Sequence, residues 1–198
     1  MAASTIAAPQ VETPISPHMR GHVGMWCLIA AESAIFTIFV VAYLYYAGKS
    51  ITGPTPREVL DVPIFISICL FSSSFTIVMA ERAIHRGNTR LFAGWWFATI
   101  ALGLIFVIGS FREWYHLIYD HGVTISSSLF GTTFYSLVGL HLSHVLIGLT
   151  MLTIVLIFAL LGHVRQEHAQ RIGVLALYWH FVDTVWVVVL SVVYFIAR

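Results

Sequence analysis

Five long apolar segments constrain the fold of this chain more than any other feature of its sequence. They run over residues 22–46, 63–83, 91–111, 132–161 and 172–197. Each is long enough for a helix, rising 1.5 Å per residue, to cross a bilayer, which takes about 20 residues. Only 10% of the residues are charged, and a soluble domain would need roughly a quarter to cover its surface. The chain is therefore expected to reside in a membrane.

The same segments predict helices rather than strands. In hydrocarbon every backbone N–H and C=O needs a partner inside the protein, so only helices and closed barrels span a membrane. Barrel strands have about 10 residues of alternating polarity, and none of the five segments alternates in this way. The sequence predicts an all-α polytopic membrane protein, with residues 22–198 forming a bundle of five transmembrane helices. Residues 1–21 contain three prolines and no continuous apolar run, which indicates a flexible tail rather than a signal peptide.

Charge and cysteine content exclude several classes of protein. The net charge of +1 gives no reason to expect a nucleic-acid partner. Cys27 and Cys69 lie in different apolar segments, and the sequence contains no CxxC. A disulfide framework, a thiolate metal site and covalent c-type haem attachment are therefore not expected.

Basic residues near the helix ends predict the orientation. If the N-terminus is cytoplasmic, the outer side holds four of these basic residues and the inner side holds six. The outer ones are Lys49, Arg57, Arg112 and Arg198, and the inner ones are Arg20, Arg82, Arg86, Arg90, Arg165 and Arg171. The positive-inside bias favours a cytoplasmic N-terminus and a periplasmic C-terminus. The aromatic linker from Trp114 to Tyr119 would then lie at the outer membrane interface.

Ionisable side chains inside the predicted spans are candidate functional residues, because each costs at least a few kcal/mol in a membrane. Those well inside the spans are Glu32, His141, His144, His180 and Asp183. Three-residue spacing places His141 and His144 on one helix face, and likewise His180 and Asp183. We interpret these four as structural polar groups that form hydrogen bonds within the bundle. A metal site would need further ligands, and a b-type haem usually needs histidines from two helices.

Glu32 has no cation within one helical turn. A carboxyl that exchanges a proton inside a membrane would suit proton handling, whereas a protonated acid could simply hydrogen-bond a neighbouring helix. The spacing alone leaves both interpretations open.

Small residues four positions apart predict close helix contacts in lipid. Ala30 and Ala34 show this spacing in the first segment, and Gly139 and Ser143 show it in the fourth.

Three sequence runs resemble the cytochrome c oxidase subunit III family. YWHFVDTVWVVVLSVVYF at 178–195 resembles its last helix, and GLHLSHVLIG at 139–148 resembles its G-x-H-x-x-H-V-x-x-G element. GMWCLIAAESAIFTIF at 24–39 resembles the family helix that carries a buried acid. The resemblance covers nearly all of the chain after Arg20 and points to the five-helix bacterial form of the haem–copper oxidase subunit.

This resemblance implies a non-redox subunit of a terminal respiratory oxidase in the bacterial inner membrane. The chain would pack on catalytic subunit I, with subunit II, a small subunit IV and membrane lipids as further partners. The haems and copper would lie in subunits I and II, and this chain would hold no cofactor. Glu32 corresponds to the acid that supports proton uptake into subunit I. His141, His144, His180 and Asp183 correspond to the family's HxxH and WHFVD positions.

Two departures from the family pattern leave alternatives open. The longer family form has seven helices, whereas five are predicted here. The two helices without a counterpart are the first two, which build one wall of a lipid-holding cleft in the longer form. Gly173 stands where many members carry glutamate, and quinol oxidases of the same superfamily also lack that glutamate. Glu32, in contrast, is typical of the cytochrome c type. Subunit III of a quinol oxidase and the related accessory protein of a nitric oxide reductase therefore remain alternatives. Outside the family, the alternative is a b-type membrane cytochrome; a transporter would typically show internal repeats, which are not evident here.

Overall fold

The computed structural model describes residues 17–47, 49, 62–120, 122–126 and 128–196. This part of the chain is helical, with turns and loops and no strand, and the all-α prediction is confirmed. The helices are α1 (Pro17–Tyr46), α2 (Ile64–His85), α3 (Thr89–Tyr119), α4 (Leu129–Leu160) and α5 (Ala169–Leu190). A 3₁₀ turn (Gln166–His168) precedes α5, and a π-helical segment (Ser191–Ile196) follows it. Five spans in this part of the chain are long and apolar enough to cross a bilayer, and the chain is a multi-pass membrane protein.

Two helix boundaries differ most from those expected. Helix α1 already begins at Pro17, a residue type that fits a first helical turn because it has no N–H to satisfy. Residues 17–21 are thus helical, and the rest of the predicted tail lies outside the described residues. Helix α3 continues past residue 111 to Tyr119 and ends just before Gly122, whose φ is +64°. The predicted linker at Trp114–Tyr119 is therefore the end of a helix, because polar interfacial residues do not by themselves interrupt helical hydrogen bonds.

A short turn makes α2 and α3 an antiparallel hairpin. Gly87 adopts a φ of +73°; its N–H donates to the Ile84 carbonyl, and the N–H of Asn88 donates to the Ala83 carbonyl. This pattern satisfies the last carbonyls of a helix and favours glycine. The Asn88 side chain then accepts a hydrogen bond from the N–H of Leu91 at 3.0 Å and caps α3. Contact between α2 and α3 is consequently the most extensive in the bundle.

Helix α5 connects the rest of the bundle, since it packs against α1, α2 and α4. Two of its buried indoles reach serine hydroxyls on α2. The N–H of Trp179 donates to Ser73 Oγ at 2.8 Å, and that of Trp186 donates to Ser67 Oγ at 3.0 Å. Helix α1 packs mainly on α4 and α5, so most of its surface is left for lipid or a partner.

Two helices approach the Trp179 ring closely. A Cβ built on Gly148 of α4 would lie 2.9 Å from its ring, and one built on Gly103 of α3 would lie 3.0 Å from it. Real Cβ atoms essentially never lie within 3.0 Å of another heavy atom of this kind. Two glycines therefore hold the indole between α3 and α4.

The small residues singled out by their spacing do not make this contact. Ala30, Ala34 and Ser143 are exposed, and a Cβ on Gly139 would make only an ordinary contact of 3.5 Å with Trp114. No helix of this chain makes the predicted close approach at these four positions, because spacing gives a shared helix face but not the neighbour that packs on it.

Candidate functional site

Glu32 on α1 and His144 on α4 meet near the middle of their spans. Glu32 Oε2 lies 3.1 Å from His144 Nε2. The two side chains are 22% and 11% exposed, so the contact is largely enclosed but can be reached at its edge. The sequence indicated both residues but not their contact, because the partners are 112 positions apart.

The second nitrogen of His144 determines how this pair shares a proton. His144 Nδ1 lies 2.8 Å from the Leu140 carbonyl oxygen. A carbonyl only accepts, so Nδ1 carries a hydrogen, and in a neutral ring Nε2 must then accept from a protonated Glu32. In a charged ring, Nε2–H instead donates to a Glu32 carboxylate. Either arrangement places one transferable proton between the two residues and leaves the pair with no net charge.

His141 points into a different environment from its neighbour His144. Its ring is fully buried, stacks on Trp186 at a centroid distance of 5.0 Å, and contacts the edges of Phe36 and Phe106. Neither ring nitrogen has a hydrogen-bond partner among the described residues. Three aromatic rings therefore pack against the His141 imidazole.

His180 and Asp183 are joined through a third residue. Ser74 Oγ on α2 lies 3.0 Å from His180 Nδ1 and donates a hydrogen bond to Asp183 Oδ2. The imidazole and the carboxylate share a helix face, as predicted, but the serine hydroxyl stands between them. Sequence reasoning missed Ser74 because a helical serine more often bonds back to its own helix.

No group of three or more His, Cys, Asp or Glu side chains within the described ranges could hold a metal ion. The HxxH pair contributes His144 to a carboxyl contact and His141 to aromatic packing, so the two do not converge on one point.

A further carboxyl contact lies toward the end of α3. The hydroxyl of Tyr194 donates to Glu113 Oε1 at 2.7 Å and ties the π-helical segment to α3. Sequence reasoning placed Glu113 in a linker, because the predicted helix ended at residue 111. The signal that could have revealed it is the continued helical spacing of the aromatic residues beyond that point.

Gly173, which departs from the family pattern, lies next to the side chain of Glu81. A Cβ on Gly173 of α5 would lie 3.3 Å from Glu81 Oε1 of α2. A carboxyl group from the adjacent helix thus lies beside the position where many family members carry glutamate.

The fold and these contacts define a multi-pass helical membrane protein in which carboxyl, imidazole and hydroxyl groups meet near the centre of the bundle. Residues 18–198 match the family described as cytochrome c oxidase subunit III. The chain belongs to this family and is a subunit of an oxidase complex.

Some relatives are named as subunit 3 of a cytochrome c oxidase and others as subunit 3 of a quinol oxidase. The chain is 35% identical over 173 residues to cytochrome c oxidase subunit 3 of Alkalihalophilus pseudofirmus, covering 86% of this chain and 84% of the relative. It is 33% identical over 196 residues to the protein of the same name from Corynebacterium diphtheriae, covering 96% and 95%. Quinol oxidase subunit 3 of Bacillus subtilis is 30% identical over 173 residues, covering 86% and 84%.

Proposed function

We propose that this chain is the non-redox subunit III of a terminal respiratory oxidase, and that Glu32 with His144 supports proton uptake into subunit I while oxygen is reduced to water. The observation that carries this proposal is the 3.1 Å contact between Glu32 Oε2 and His144 Nε2. A titratable pair in the middle of two spans is costly unless it is paired and hydrogen-bonded. Glu32 and His144 are paired with each other, and His144 is also hydrogen-bonded to the Leu140 carbonyl. The pair holds one proton that could be transferred.

The pair would work as a proton relay at the edge of the chain. While it is neutral, its burial costs little. Once the proton passes to subunit I, the pair becomes a net anion in a low-dielectric setting, which attracts a replacement proton. The 22% exposure of Glu32 provides the edge at which that exchange would occur.

We assign the redox chemistry to the partners. Subunits I and II would hold the haems and copper, this chain would hold none, and it would not itself be catalytic. Subunits I and II and a small subunit IV are the proposed partners, together with membrane lipids. The proposed electron donor is cytochrome c; a quinol is the alternative, because relatives with both names match the chain.

A purification through a tag on this chain tests the assignment. In mild detergent, the haem Soret absorption and copper should copurify with larger partner chains. After the partners are stripped off, the absorption should leave with them and this chain should be colourless. A Soret band that stays with this chain and disappears in His141→Ala or His180→Ala would instead support a b-type cytochrome.

We also propose that the chain lies in the bacterial inner membrane with its N-terminus in the cytoplasm and its C-terminus in the periplasm. A reporter that is active only in the periplasm should be silent when fused at the α2–α3 turn, next to Gly87. The matched fusion at Gly122, after α3, should be active. The reverse pattern would overturn this orientation, and with it the placement of Trp114–Tyr119 at the outer interface.

A further inference from the structure

A groove of about 490 Å³ runs between α1 and α5, across the middle of both spans. Its lining is apolar except for Trp26 and four other polar side chains: Ser33, Thr37, His180 and Thr184. Each of the three hydroxyls donates to the carbonyl four positions earlier in its own helix, at 2.7–2.8 Å. These hydroxyls therefore offer lone pairs to a water in the groove.

Ser74, His180 and Asp183 form a group that we call the serine trio. His180 faces the groove, whereas Asp183 is enclosed by the protein. His180 Nδ1 is engaged with Ser74, and the His180 ring lines the groove, so Nε2 is the ring nitrogen left available there. At the other end, Asp183 is 5% exposed, and its Oδ1 is buried with no hydrogen-bond partner among the described residues. The groove thus gives a proton access to the trio from the side of His180.

Two hydrogen-bond arrangements fit the same atomic positions. If Asp183 is ionised, His180 Nδ1–H donates to Ser74, and Ser74 donates to Asp183 Oδ2. If Asp183 is protonated on Oδ2, the carboxyl donates to Ser74, Ser74 donates to Nδ1, and Nε2 carries the ring hydrogen. The second arrangement contains one more proton than the first and no net charge. No heavy atom has to move between them.

We propose that the serine trio is a proton-binding site that loads from the α1–α5 groove. A hydronium ion in the groove gives its proton to His180 Nε2 and remains as water. Nδ1 then passes its own proton to Ser74 Oγ, and Ser74 passes its hydroxyl proton to Asp183 Oδ2. The carboxylate becomes a carboxylic acid, and the imidazole ends neutral with its hydrogen on the other nitrogen. Because Oδ1 is enclosed, the site stores a proton and returns it by the same route.

This site is separate from the Glu32–His144 pair. Titratable groups on the surrounding elements include Glu32 on α1, Cys69 and Glu81 on α2, His141 and His144 on α4, and Tyr178 on α5. None of them has a hydrogen bond to the serine trio. The two sites can therefore be tested independently.

Infrared difference spectroscopy on the purified oxidase complex tests the proposal. Acidification should produce a carboxylic-acid C=O band that is missing in Asp183→Asn and unchanged in Glu32→Gln. In D₂O the band should shift promptly to lower frequency, because the relay exchanges the acid hydrogen. Ser74→Thr retains the hydroxyl and should behave like the wild type. Ser74→Ala breaks the relay and should lose both the response to a pH step and the prompt shift.

Subunit composition and haem content would establish that each variant has assembled. If Ser74→Ala does not assemble, His180→Gln, which keeps an amide near Ser74 but has no titratable nitrogen, should show the same loss. A normal pH response and D₂O shift in an assembled Ser74→Ala or His180→Gln complex would overturn the proposal. So would a wild-type complex without an Asp183-dependent band. Neither result would bear on Glu32.

Discussion

Gly148→Ala should sharply reduce the amount of assembled complex. The added Cβ would lie 2.9 Å from the Trp179 ring, which is fully buried and donates a hydrogen bond to Ser73 at 2.8 Å. A Cβ on Gly103 of α3 would lie 3.0 Å from the same ring, so the ring is also closely packed there. Overpacking of this kind costs about 1–3 kcal/mol, and losing the indole hydrogen bond would add about 1 kcal/mol. The measurement is the yield of complex and its unfolding temperature in detergent.

Gly139→Ala is the matched control for this substitution, because it lies on the same helix. Its Cβ would make a 3.5 Å contact with Trp114, which is an ordinary distance, and alanine has a helix propensity about 1 kcal/mol better than glycine. We expect unchanged or slightly higher stability. Equal behaviour of the two variants would contradict the packing described for Trp179.

Glu32→Ala should reduce sustained oxygen reduction, or shorten the time for which the enzyme remains active, while assembly and haem content stay normal. The loss should grow at higher pH, where protons are scarce. Removing a positioned proton-transfer group commonly costs ~100-fold or more; a supporting route should cost less, on the order of several-fold. Glu32→Asp should be milder, because it keeps a titratable group with one methylene less reach toward His144.

The opposite pattern would identify Glu32 as a structural contact between helices. In that case Glu32→Ala would loosen the chain from its partners, and the complex that remained would turn over normally. Unchanged assembly together with unchanged turnover would contradict both interpretations.

The existence and order of the helices could be predicted because they depend on local properties. An apolar run of sufficient length must form a helix in lipid, wherever the rest of the chain lies. Helix ends were less predictable. Helix α3 continues to Tyr119 because residues at an interface can be polar and helical at once.

The sequence identified the individual site residues but did not predict which of them contact one another. A carboxyl or an imidazole inside an apolar run is conspicuous, and so Glu32, His144, His180 and Asp183 were all identified. Their partners depend on which helix faces which, and this is set by packing between distant segments. Ser74 gave no signal, because an uncharged hydroxyl is common in membrane helices.

Glu32→Gln provides the most direct test of the proposed proton relay through Glu32 and His144. Glutamine keeps the volume of the side chain and can donate an amide hydrogen to His144 Nε2, but it cannot transfer a proton. The measurement is the rate and duration of oxygen reduction by the purified complex as a function of pH. The proposed proton relay predicts wild-type subunit composition and haem content, with turnover that falls further below wild type as the pH rises. A Glu32→Gln complex that matches the wild type in rate and lifetime at every pH would contradict it.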